Sequence, residues 1–550
     1  MKKLLILFAA TLIGLAGFAQ SDAFDQFRQQ QQASFNQFRD SKQNEYDAYR
    51  KKLNEEYAEF MRHAWDEFPE HQPEEPVKEE PVPPVIYEEP APQPAPTPEP
   101  TPAPEPTPTP EPTPAPEPAP EPAPAPEPAP EPAPAPEPAP EPEPTPAPQP
   151  VPEPEPQPIP VKPTVVVVPE PVPAPEPIAP VQPKEEPFKR VSISYHGALI
   201  TIGFPVNDNL KIASLSEDGL ADAWQVLSQS KYDVTIKTAL DARKANDLCD
   251  WSYMSAIRMA TEKQYGQTNE AVLMQAYVMT QSGYRVRLGM ANGKLYMLVA
   301  SLYDIYGLRY YTLDGIKFYI VNGEKQSKMQ ICKAKFGKEQ SLSLQLTRLP
   351  KLGNDPTPKR KLSSRKGVVA SVSVNKSLID FFNTYPQACF NGDYKTRWAA
   401  YANTPIEPAI RNSLYPQLQK VINGMSERDA VGILLNWVQT AFEYEYDDKV
   451  WGGDRAFFAQ ETLYYPYCDC EDRSILFSRL VRDLVGLDVV LLYYPGHLAT
   501  AVGFTQNEKG DWLTYKNKKY IVCDPTYINA GVGMTMPGMN NQEAQVIALK

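Results

Sequence analysis

From Pro90 to Pro160 every second residue of this chain is proline, and residues 69–187 hold 51 of its 63 prolines. Each proline fixes its own φ, lacks an N–H and pushes the residue before it into extended geometry, so this run cannot build a core. It reads as a disordered, polyproline-like, semi-rigid spacer that could reach roughly 370 Å if fully stretched. The 550 residues are therefore split into parts that must fold on either side of it. Charge follows the same division. Residues 1–188 carry 12 Lys+Arg against 33 Asp+Glu, net −21, which leaves +7 of the chain's −14 for residues 189–550. The basic cluster Lys359, Arg360, Lys361, Arg365 and Lys366 lies among prolines and serines and reads as a solvated loop; no nucleic-acid motif accompanies it, so no nucleic-acid partner is expected.

Two segments precede the spacer. Residues 1–19 combine two lysines, an apolar run from Leu4 to Leu15 and small residues before Gln20. That pattern predicts a bacterial secretory signal peptide cleaved near Ala19, hence a periplasmic or secreted protein. No later stretch is long and apolar enough to span a membrane. Residues 20–68 predict one helix with its own repeat: Phe24/Phe27, Phe35/Phe38, Tyr46/Tyr49, Tyr57/Phe60 and Phe68 recur every 11 residues, with Arg28, Arg39 and Arg50 behind the first three pairs. Eleven residues make three turns, so the aromatics form one stripe that a lone helix cannot bury. Self-association, docking on the chain's own C-terminal part and binding another protein all remain open for it.

The 362 residues from Lys189 onward exceed one ordinary domain and look internally duplicated. Residues 269–299 lie on residues 472–502 without a gap, matching Leu273, Val278, Gly283, Val286, Leu288, Gly293, Leu295 and Val299 to Leu476, Val481, Gly486, Val489, Leu491, Gly496, Leu498 and Val502. After a two-residue offset Tyr319-Ile320-Val321 falls on Tyr520-Ile521-Val522. Cys470, His497 and Asp524 then stand opposite Gln267, Lys294 and Gly323. The division expected is a degenerate copy over 188–345, a connecting region over 346–424 and a second copy over 425–550.

The chemistry lies in the second copy. Cys470, His497 and Asp524 follow one another at intervals of 27 residues. A thiol nucleophile needs a base to ionise it and a third group to orient that base. The pattern around Ile475, Leu476, Leu480, Val481 and Leu484 predicts a helix starting at Cys470, where free N–H groups would favour a thiolate. Strands over 488–494, 498–504 and 519–523 would deliver His497 and Asp524 beside it. Cys468, Cys470, His497 and Cys523 form an alternative zinc set, and Cys468 with Cys523 an alternative disulfide.

The runs Glu461-Thr462-Leu463, Asp469-Cys470-Glu471-Asp472-Arg473-Ser474, Gly496-His497 and Asp524-Pro525-Thr526 resemble the transglutaminase-like superfamily of papain-related cysteine enzymes, as do Asn436-Trp437-Val438-Gln439 and Phe442-Glu443-Tyr444. The resemblance covers roughly residues 425–530. It implies an α+β, papain-like core with a Cys-bearing helix packed on an antiparallel sheet bearing His and Asp. It implies no cofactor and no metal, and an acyl-enzyme formed from a peptide or protein amide, envelope-associated in this setting. Cys468 stands where the family has glycine, and Gln460, Tyr464 and Tyr465 are candidates for its oxyanion side chain. The expected function is an exported amide hydrolase or acyltransferase; the alternative is a non-catalytic scaffold or binding protein reusing the fold.

Overall fold

The computed structural model describes residues 22–77, 80–88, 164–181, 187–321 and 323–550. The segment expected to be a signal peptide, residues 1–19, and the proline alternation from Pro90 to Pro160 lie outside the described residues. The chain divides into two units, residues 1–87 with 160–550 and residues 88–159; of the second only Glu88 is described. Everything below concerns the first. It is an α+β arrangement of helices on two six-stranded, mainly antiparallel sheets. None of its described helices is long and apolar enough to cross a membrane.

The N-terminal helix, Asp22–Met61, docks on the chain's own first half through Arg50, Asn54, Tyr57, Ala58 and Met61. These positions are spaced as one helical face. Arg50 pairs with buried Asp233, Asn54 bonds Trp224 Nε1 and Gln281, and Tyr57 stacks on Phe336 at 4.4 Å. Earlier repeats stay uncovered: Phe35 and Phe38 are 60% and 62% exposed. The helix stops at Met61, short of the expected 68, because Trp65–Pro69 pairs as an edge strand with Lys328–Cys332. Pro69 is tolerated at such an edge. Replacing Asn54 with Ala should cost about 2 kcal/mol in denaturant unfolding, since Trp224 Nε1–H and Gln281 would be left buried without their partner.

Both flanks of the proline segment are also held, which corrects the expectation of a spacer over all of 69–187. Residues 70–77 run along the first sheet, with Glu70 paired to Arg309 and Glu74 to Lys317. Residues 164–181 return over both halves. Proline lacks N–H but keeps its carbonyl, so side-chain amides grip this stretch: Gln340 Nε2 donates to Pro173 O and Gln345 Nε2 to Pro169 O.

The two sheets follow one plan. The first runs, in spatial order, Tyr310–Leu313, Ile316–Ile320, Lys294–Ala300, Val286–Ala291, Lys328–Cys332 and Trp65–Pro69. The second runs Trp512–Tyr515, Lys518–Cys523, His497–Gly503, Asp488–Tyr494, Gln545–Ala548 and Thr164–Val166. Pairing is equivalent too: Val286 opposes Val299 and Ala291 opposes Lys294, as Val489 opposes Val502 and Tyr494 opposes His497. Lys294 thus occupies the register position of His497. In the next strand Val299 opposes Tyr319 whereas Val502 opposes Ile521. The offset is therefore one residue, not two, and Asp524 corresponds to residue 322, outside the described residues, rather than Gly323. Gln267 precedes the helix Asn269–Gln281, whereas Cys470 begins its own.

Residues 346–424 are not a separate layer. The helices Lys376–Thr384 and Thr396–Asn403 supply Phe382 and Tyr401, whose rings each lie 4.2 Å from Phe458. One apolar core passes through both halves and this region. Arg360 is likewise not in a solvated loop. It sits in the strand Arg360–Ser363 and donates to the carbonyls of Leu463, Tyr464 and Tyr465, which end the helix Ala459–Tyr464.

Candidate active site

Cys470 is the first residue of the helix Cys470–Leu484. Ile475, Leu476, Leu480 and Val481 face the core and fix the helix. Asp472 closes its start, accepting from Asp469 N–H at 3.3 Å and Phe457 N–H at 2.8 Å. Gly486, with φ +76°, ends it by donating to Val481 O. His497 opens the strand His497–Gly503 after a Pro495-Gly496 hairpin turn in which Gly496 takes φ +73°. Cys523 pairs with Thr500 at the end of Lys518–Cys523, so Asp524 emerges beside His497.

The structure thus brings the three residues predicted from the sequence to one place. Asp524 Oδ2 lies 2.8 Å from His497 Nε2, while Oδ1 accepts from the N–H groups of Thr526 and Tyr527 at 2.8 and 3.2 Å. Gln439 Nε2 holds the Asp524 carbonyl at 3.0 Å. His497 Nδ1 is buried and has no hydrogen-bond partner. Cys470 and His497 line a cavity of about 90 Å³ with Tyr394, Arg397, Trp398 and Tyr493. Ser474 Oγ donates to Leu498 O at 2.8 Å, tying the Cys470 helix to the His497 strand.

Electrostatics departs from expectation. Burial pushes the Cys470 thiol well above its ordinary range, and the carboxylates of Glu471 and Asp469 push it further. The thiol donates to Glu471 Oε2 at 3.1 Å. Desolvation and two adjacent acids outweigh the helix N-terminus, so the resting group is a neutral thiol. The acids themselves crowd one another: burial and neighbouring carboxylates raise Asp469 and Asp472 well above the carboxylate range and Asp447 to about 8. Arg397, paired with Asp454, brings a positive charge to this group.

A carboxyl whose folded pKa is raised holds its proton longer folded than unfolded, so stability is greatest at low pH and falls as pH climbs from about 4 toward 8. Asp447→Asn should therefore raise stability by about 1–2 kcal/mol at pH 8 and leave it nearly unchanged at pH 4, measured as urea midpoints at both values.

Other expectations are corrected. Cys468 has no need of glycine's freedom: it pairs with Tyr444 in a short parallel bridge at negative φ, and its sulfur contacts Arg473 Nε at 3.5 Å and Glu443 O at 3.6 Å. All six cysteines are free thiols, so the Cys468–Cys523 bridge is not formed. The alternative zinc set does not converge. Among the described residues, the groups at ligand spacing are Asp469, Cys470 and Glu471, and Asp447, Asp454 and Glu471. The side-chain oxyanion candidates point elsewhere: Gln460 Nε2 bonds Pro405 O and Tyr465 OH bonds Asn383, and neither these nor Tyr464 line the cavity.

Sequence reading missed the cavity's other wall. Tyr394 and Trp398 come from the connecting region, where Tyr394 OH donates to Tyr493 OH at 2.9 Å and Trp398 stacks on Tyr493. Val77 and Pro81 come from the edge of the proline segment. Only long-range packing places them there. Comparison with protein-family models, curated proteins and solved structures returns no match to this chain.

Proposed function

We propose that this protein is an exported, transglutaminase-like cysteine amide hydrolase or acyltransferase whose papain-like core spans residues 425–550, preceded by a degenerate copy that lacks the triad. One observation carries the reading: Asp524 engages Nε2 of His497, leaving Nδ1 as the free base in the cavity that Cys470 also lines. The matched strand order and register of the two sheets support the duplication.

In the reaction, a peptide carbonyl enters the cavity and Cys470 passes its proton to His497 Nδ1 as the sulfur attacks the carbonyl carbon. The N–H groups at the start of the helix that Cys470 begins are main-chain donors for the oxyanion. His497 returns the proton to the departing amine, and Asp524 stabilises the imidazolium between the steps. Water or a second amine then takes the acyl group from sulfur. Because the resting thiol is neutral, proton transfer accompanies attack rather than preceding it.

An activated peptide ester should leave an acyl group on Cys470, found by peptide-mapped mass spectrometry, with turnover about 10³-fold or more lower in Cys470→Ala and in His497→Ala. An adduct that survives His497→Ala at the wild-type rate would sink the triad. The alternative scaffold reading draws on the buried, proton-holding thiol and predicts no adduct at all. The exposed Phe35 and Phe38 support self-association through the N-terminal helix. Phe35→Ala/Phe38→Ala should then shift the protein to monomer in sedimentation.

A further inference from the structure

Part of the cavity wall comes from the chain just ahead of the proline alternation, at Val77 and Pro81. Residues 80–87, the leading edge of the proline segment, lie extended across the loops that carry His497 and Asp524. Val82 N–H donates to Gly496 O at 2.9 Å, one residue before the base. Further on, Ile528 N–H donates to Val85 O at 2.9 Å and Tyr87 N–H to Ile528 O at 2.8 Å, so the segment pairs like a parallel strand with Ile528. Val82, Val85 and Tyr87 pack against Tyr527, Ala530 and Met536. Pro81 lines the cavity together with Cys470 and His497.

Gly496 shows how tightly the two chains meet. A Cβ there would strike Glu80 O and touch Val82 Cγ2 at 3.4 Å, so only glycine lets a second main chain pass. The proline content suits the same purpose. Pro81, Pro83 and Pro84 hold extended φ before binding, so little chain entropy is lost, and the N–H groups of Val82 and Tyr87 between and after them make the bonds to the track. This is main-chain recognition by strand addition, with apolar side chains alternating into a patch.

We propose that Gly496 and Ile528 form the track for the main chain of an extended polypeptide substrate, and that residues 80–87 occupy it as an intramolecular ligand. The proposal deepens the cysteine-enzyme reading and rests on it for the word substrate; the track itself rests on geometry alone. The resident strand presents itself at an effective concentration on the order of millimolar, which an incoming peptide must overcome. Its Pro81 stands in the wall of the cavity that Cys470 lines, and Cys470 is only 4% exposed. A substrate must displace this strand to take the track.

The test uses the full chain. The double variant Val82→Asp/Val85→Asp places charges in the apolar patch, and Val82→Pro removes the N–H that Gly496 O accepts while adding no charge, which keeps the test open if the first variant misfolds. Hydrogen exchange at Tyr87 and Ile528 reads strand release; iodoacetamide alkylation of Cys470 reads access. Alkylation should rise at least tenfold in the variants. A synthetic peptide of sequence Glu-Pro-Val-Pro-Pro-Val-Ile-Tyr, added in trans, should slow it again. Alkylation that stays at the wild-type rate once exchange shows the strand released would overturn the proposal, as would a bound peptide that leaves Cys470 equally reactive. The acyl adduct separates this proposal from the enzyme reading. Variants that alkylate fast yet form no adduct refute the enzyme and leave the track standing. Adducts that form equally fast with and without the strand refute the track.

Discussion

Asp524→Asn should lower kcat/KM by about 10³–10⁴-fold while leaving the fold intact, because it turns the histidine the wrong way round. The two oxygens of Asp524 have different tasks. Oδ1 is pinned by the N–H groups of Thr526 and Tyr527, which donate and cannot accept. An asparagine must therefore keep its oxygen there and present its NH2 to His497 Nε2. Nε2 becomes the acceptor, and the ring proton moves to Nδ1, the nitrogen that should receive the thiol's proton. Asp524→Ala, which frees the ring to choose its tautomer, should lose less activity per turnover than the isosteric change but more stability. Steady-state kinetics beside a denaturation curve for each variant checks both. Equal activity of wild type and Asp524→Asn would mean that Nδ1 is not the base.

Arg473→Ala should cost about 3–5 kcal/mol in stability, the largest single-residue effect we expect. Arg473 is 1% exposed, one turn into the Cys470 helix. It donates to Gln439 O at 3.2 Å and Phe442 O at 2.9 Å, contacts the Cys468 sulfur and lies over the Tyr444 ring. Alanine would leave two buried carbonyls unpaired beside a void too large to collapse. Arg473→Lys should recover less than half, since an ammonium cannot reproduce the planar fork. Thermal unfolding of the three forms gives the ranking. The same residue explains why cysteine serves at position 468, where the sulfur is a partner for the guanidinium.

Local chemistry was legible in the sequence and assembly was not. The Cys470 helix, its Gly486 stop, the Gly496 turn and the order of His497 and Asp524 follow from periodicity and turn residues within a few positions of each site. The one-residue offset near Asp524 depends on strand register about twenty positions away, and the early end of the N-terminal helix on a strand partner hundreds of positions away. So does the raised Cys470: nothing near it in sequence tells how completely water is excluded, and exclusion outweighs the helix dipole. The proline-rich flanks were hardest to foresee, because a polyproline strand is bound through its carbonyls and few N–H groups and leaves no hydrophobic period to read.

Each sheet ends in a strand borrowed from far upstream: Trp65 pairs with Cys332, and Thr164 with Gln545. Neither edge can close when its strand is made, since each waits for a partner synthesised long afterward, and the second waits almost for the end of the chain. Loop closure over such distances slows folding, and an unpaired edge invites other strands in the meantime. A chain with this wiring completes its second sheet only after nearly all of it has been made. The arrangement that covers its edges when folded also sets the moment at which folding can finish.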